Sequence, residues 1–247
     1  MSDISSSGKK LYSILKEAWN EDGEKHIVNV WVKVLGGDAS NLADISVKLG
    51  QLIVLLNEVR NDIKDLEISN IDKFLKALDK IQIVILSNQI FSVKWGILKA
   101  QITEETLDLI DACGDLLAAT AKGLREVSPI ELEELQEEIR DLQDEIRDSD
   151  IEKETKIFLI NKLRKIEELI LNYRIRGSSG LAKVSEEVSG GILIKWAQMS
   201  EKAREWAGKV ITVAIKTNSM ISVAERFSKL PEGLKEILPL LLPGNGR

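Results

Sequence analysis

Apolar residues recur at three- and four-residue steps along most of the chain, the spacing of helices that hide one face from water. Across residues 41–60 the ladder runs Leu42, Ile45, Leu49, Leu52, Leu56 and Val59. Residues 71–86 repeat it through Phe74, Leu75, Leu78, Ile81 and Ile85. Around 103–124, Thr103 is placed to cap a helix whose third residue beyond it is Thr106. Glu104 and Glu105 then occupy the first turn, where the positive end of the helix dipole favours them. Gly36-Gly37 and Gly123 predict helix ends. One stretch departs from this period: Val28, Val30, Val32 and Val34 alternate with Asn29, Trp31 and Lys33, as in a strand. No second strand is evident nearby, and a lone strand leaves its backbone groups unpaired. The segment is therefore assigned to a helix.

The sharpest start signal is Ser128-Pro129. Ser128 as cap, Pro129 in the first helical position and Glu131 three residues after the cap make a capping box. Leu132, Leu135, Ile139, Leu142 and Ile146 follow as a heptad seam, which Asp148-Ser149-Asp150 ends. A second seam runs through Leu159, Leu163, Ile166 and Ile170. Two short seams joined by polar residues predict an antiparallel helical hairpin. Beyond it, Gly177-Ser178-Ser179-Gly180 reads as a flexible joint, with Gly190-Gly191 as a second. A third stripe, Ile192, Trp196, Met199, Ala203, Trp206, Val210 and Val213, leads to a tail punctuated by Pro231, Pro239 and Pro243 around Leu240-Leu241-Leu242.

The expected fold is all-α: a helical bundle over 1–126, an acidic antiparallel hairpin over 127–176, and a hinged C-terminal segment over 177–247 that carries basic amphipathic helices. The closing residues of the hairpin, Tyr173-Arg174-Ile175-Arg176-Gly177-Ser178-Ser179-Gly180-Leu181, form a Tyr-x-Ile-x-Gly-x-x-Gly-Leu motif. With this motif, residues 129–191 resemble a group of helical bacterial proteins that share an acidic hairpin closed in this way. No activity is attached to that group. The resemblance implies a helical fold and a place among components of bacterial anti-phage defence loci.

Composition narrows the chemistry. At 247 residues the chain is long enough to bury a core without disulfides or a structural metal. Aromatics are only 4% of it, so Leu, Ile and Val must fill that core. The one cysteine, Cys113, allows no internal disulfide, and the polar N-terminal residues lack a secretory signal. No run of about 20 apolar residues predicts a membrane span. The expected location is cytoplasmic, with membrane association on activation under the second reading below.

The net charge of −6 conceals a division. Residues 1–130 hold 15 basic and 19 acidic side chains, 131–154 hold 3 and 12, and 155–247 hold 16 and 9. A strongly acidic block thus precedes a basic third, which itself is a candidate partner for that block.

A catalytic set built on a neutral base would have to use the only histidine, His26, which follows Glu24-Lys25 at an apparent helix start. Cys113 sits where a small apolar residue fits a helix face. Four-ligand zinc sites need more than these two residues, and neither GxxxxGK[ST] nor a GxGxxG after a strand occurs. No catalytic residue, metal or cofactor is expected, and the chain is expected not to be an enzyme. Nucleic acid is not expected either, because the basic third interleaves Glu186-Glu187, Glu201 and Glu205 with its lysines.

Two sets of contact residues remain. Lys195, Trp196, Trp206, Lys209 and Lys216 mark the C-terminal segment as a face for another protein, for self-association or for an anionic membrane surface. Ile81–Leu98, with Trp95, is a second sparsely charged stretch. Arg174, Arg176, Gly177 and Gly180 mark an anion contact or hinge ahead of a helix. The leading expectation is a non-enzymatic protein-interaction or regulatory component working through helix faces. The second is a conditionally membrane-active effector that uses the basic C-terminal segment.

Overall fold

A computed structural model describes residues 6–66, 70–87, 92–120 and 124–221. Among these the chain forms ten α-helices and no strand: α1 (Ser7–Trp19), α2 (Ile27–Leu35), α3 (Leu42–Lys64), α4 (Ile71–Ile85), α5 (Trp95–Lys99), α6 (Glu104–Thr120), α7 (Pro129–Asp148), α8 (Lys153–Leu171), α9 (Tyr173–Lys195) and α10 (Glu201–Ile221). The all-α expectation holds. The expected ends at Gly123 and in the Pro231–Pro243 tail lie outside the described residues, as does part of the Ile81–Leu98 stretch.

The chain divides into two compact units, one of residues 4–122 with 172–179 and the other of residues 123–171 with 180–247 (here described to 221). This grouping differs from the three-part sequence reading. The hairpin shares a unit with the C-terminal helices, and residues 172–179 count with the N-terminal bundle.

In the first unit α1 packs chiefly on α6. Two glycines permit the approach: a Cβ on Gly8 would lie 2.7 Å from the Gly114 Cα, inside any tolerable contact. Ser6 caps α1 by accepting from the Lys9 amide, and its hydroxyl donates to the Gly114 carbonyl at 3.1 Å, fixing the same crossing. The alternating valines do form a helix, α2. Its solvent face is set by Asn29 and Lys33, four residues apart, while Ile27, Val28, Val30, Trp31, Val34 and Leu35 are buried. An apolar majority with so few polar markers looks like alternation in one dimension although it winds as a helix. Trp31 meets Trp95 of α5 edge to face, ring centroids 5.5 Å apart at 72°. These two rings, with Phe74, are the aromatics of a core built mostly from aliphatic residues.

In the second unit the capping box forms as expected: Glu131 N donates to Ser128 Oγ, and the Glu131 carboxylate accepts from the Ser128 amide. Leu135, Ile139, Leu142 and Ile146 of α7 are buried, as are Leu159, Leu163, Ile166 and Ile170 of α8. These seams pack α7 on α8 as a hairpin, and α10 lies against both helices. The third sequence stripe is not one helix. α9 ends at Lys195, a 3-10 turn covers Trp196–Gln198, and α10 begins at Glu201. Ser200 starts α10 by accepting from the Ala203 amide, while the Arg204 guanidinium donates to the carbonyls of Trp196 and Ala197. Those local bonds outweigh the continuity of the apolar pattern.

Candidate interaction surfaces

α7 presents its seam to α8, which leaves its carboxylates for the remaining faces. One of these faces α10 across an open groove of about 820 Å³. Leu142, Gly208 and Val213 line it and are buried, so they form its floor. Six carboxylates and a single lysine, Lys209, stand among the other lining residues. Lys209 reaches Glu145 at 3.0 Å, and Lys216, one heptad further along α10, pairs with Glu138. Glu134, Glu137 and Asp141 line the same groove, are exposed, and hold no ion pair among the described residues. The groove therefore combines an apolar floor with a rim of uncompensated negative charge.

Of the expected contact residues, Trp206, Lys209 and Lys216 share α10. Trp206 is half-buried, with the Lys209 ammonium 4.0 Å from its ring centroid. Lys195 and Trp196 are placed elsewhere, at the end of α9 and in the 3-10 turn. Lys195 lies 4.4 Å from the centre of the Phe158 ring, which Lys162 also approaches at 5.5 Å. Burial, then the charges of Lys165 and Lys195, push the Lys162 ammonium below its ordinary pKa.

Arg174, Arg176 and Gly177 belong to the first unit, and α9 is kinked at Gly177. Arg174 donates to the Lys33 carbonyl at 3.0 Å and lies 3.4 Å from Glu17. Arg176 pairs with Glu58 at 2.5 Å and donates to Gln51 at 3.0 Å, both sites mostly sheltered from water. Arg176 Nε and Glu58 Oε2 are nevertheless buried without hydrogen-bond partners. Ile175 is in the core, and the Tyr173 hydroxyl lies 2.8 Å from that of the fully buried Ser178. Gly177 supplies the one left-handed backbone position of the segment, at φ 58°, which a residue with a Cβ adopts only with strain. Gly180, Gly190 and Gly191 lie within α9. The guanidinium groups expected to take an anion are thus engaged by the protein's own carboxylates and carbonyls.

His26 is exposed at the start of α2, where its backbone makes an isolated antiparallel bridge with Lys94. Cys113 is fully buried in α6, where burial and then the charge of Asp62 push its thiol up to about 12. Among the described residues no three His, Cys, Asp or Glu side chains are grouped so as to hold a metal ion.

Sequence reasoning did not find the groove floor or the acid that receives Arg176. Gln51 and Glu58 are seven residues apart and so share a face of α3, a signal that could have nominated them as a pair. It also passed over Glu21, a buried acid whose carboxyl is held below its usual range by hydrogen bonds from Lys25 and Lys33.

Compared with family models, curated proteins and solved structures, the chain matches none. The fold and these surfaces therefore define its class: an all-α helical protein of two units, one carrying an acid-rimmed groove.

Proposed function

We propose that the chain is a non-enzymatic interaction or regulatory component that presents helix faces to another protein. The observation that carries this is the groove between α7 and α10, which combines an apolar floor with carboxylates that have no ion pair among the described residues. Two other carboxylates of the same groove, Glu145 and Glu138, are answered by Lys209 and Lys216 of α10. The resemblance of residues 129–191 to bacterial helical proteins adds the proposal that the chain is a component of an anti-phage defence system.

The membrane-active reading draws on the exposed Ile194 beside Lys195 and the half-buried Trp196. No helix among the described residues is long and apolar enough to cross a membrane, which an interfacial segment does not require. Against the reading, the apolar stripe of α10 is in use, with Val210, Ile211, Val213 and Ile221 all buried. Exposing each would forfeit roughly 1.5–3 kcal/mol. Four together approach the about 5–15 kcal/mol that holds a typical domain folded. Freeing α10 for a lipid surface would therefore first cost about the stability of a domain, a cost that only re-burial of these residues in lipid could offset.

Chemical crosslinking in the native host followed by mass spectrometry tests the leading reading. A protein partner held through defined helix faces is expected. A hydrolase or nucleotide-processing activity of the purified protein that one point substitution abolishes would overturn it.

A further inference from the structure

We infer that the α7/α10 groove docks a cationic amphipathic helix of a partner protein, with basic residues spaced one heptad apart; this rests on the interaction reading above. The protein's own packing supplies the template. Lys209 and Lys216 of α10 are seven residues apart, and they meet Glu145 and Glu138 of α7, also seven apart and taken in the opposite chain direction. α7 thus already accepts lysines at that repeat along one edge. Glu134 and Asp141 present the same seven-residue spacing without a partner among the described residues, and Glu137 stands one turn before Asp141.

A helix laid in the groove would set apolar positions on Leu142 and Val213 and basic positions on Glu134 and Asp141. From Glu134 to Glu145 the ladder runs about 17 Å at the helical rise per residue, so the occupant needs about three turns. Six carboxylates against one lysine argue for a cationic ligand and against an anionic lipid or nucleic-acid phosphate.

The probe is a fluorescent 14-residue helical peptide with leucines on one face and lysines seven apart beside them, titrated into the full-length protein and followed by anisotropy. Saturable one-to-one binding is expected, weakening as salt rises. The triple variant Glu134→Gln/Glu137→Gln/Asp141→Gln should bind about tenfold more weakly, the sum of three modest exposed charge interactions. Thr212→Arg, at an exposed position in the groove wall, should weaken it as well without touching the core. Equal binding of a scrambled peptide with the same composition, or undiminished binding by the triple variant, overturns the inference. So does a concentration-dependent dimer in sedimentation that the same substitutions abolish, which would assign the groove to a second copy. If the peptide is silent while host crosslinks map a partner to the other unit, the groove assignment fails and the interaction reading stands. If a substitution-sensitive enzymatic activity appears while the peptide still binds, the interaction reading fails instead.

Discussion

The unit of residues 4–122 with 172–179 and the unit containing α7, α8 and α10 handle charge in different ways. In the first, the telling ion pair is drawn inward: Arg176 and Glu58 face each other largely out of water, beside a core with paired tryptophans. In the second, the core seams are aliphatic and the carboxylates of α7 stay at the surface, some answered by α10 and some by nothing described. Inward charge fixes one arrangement, because breaking the pair strands a buried ion. Outward charge contributes little to folding and stays available for recognition. The contrast separates a unit organised around its interior from one organised around its rim.

Substitutions can sharpen or break that contrast. The largest effect is expected from Trp31→Ala, which removes a fully buried ring and its edge-to-face partner contact; it should cost about 3–5 kcal/mol in urea denaturation. Glu58→Ala should cost roughly 1–3 kcal/mol by the same measurement, because the Arg176 guanidinium would keep only its Gln51 contact. If Glu58→Ala proves neutral, the inward pair is ornamental and the comparison collapses. Ser128→Ala should cost about 1 kcal/mol through the lost cap of α7.

The same cap has a pH signature. Arg125, then the amide and hydroxyl of Ser128, hold the Glu131 carboxyl down from 4.5 to about 2. A group depressed on folding stabilises above its unfolded pKa and loses that contribution as pH falls through the folded value. Acid titration of the wild type should therefore weaken the α7 unit between pH 4.5 and about 2, an effect that Glu131→Gln removes. The smallest effect is expected from Lys216→Gln, under about 1 kcal/mol and diminished further by salt, because its pair with Glu138 is exposed.

Fold class was legible because helical spacing and caps agree at each segment, most clearly from Ser128 to Ile170. The α2 segment was ambiguous for a physical reason: when only Asn29 and Lys33 face water, period two and period four leave similar traces in the sequence. The break at Ser200 was hidden by the opposite problem, since an apolar stripe continued across a cap too short to disturb it. The return of residues 172–179 to the N-terminal bundle had no local signal. Arg176 and Glu58 are 118 residues apart, and only the folded chain brings them together. For the groove, the acidic ladder of α7 could be read directly, and even its attraction to the basic third was anticipated. Which carboxylates α10 would leave unanswered depended on helix packing that periodicity does not encode.

The crossing back at residues 172–179 also sets an order of events during synthesis. Ile175 belongs to the core of a bundle whose other members end near residue 122, so that bundle lacks a wall until the ribosome has passed residue 179. At about 5–20 residues per second, the intervening segment takes on the order of several seconds to emerge. The α7–α8 hairpin, complete only at Leu171, closes near the end of that interval, while the earlier-made helices wait with an open seam. A chain cut after residue 126 would hold the N-terminal bundle permanently in that waiting state.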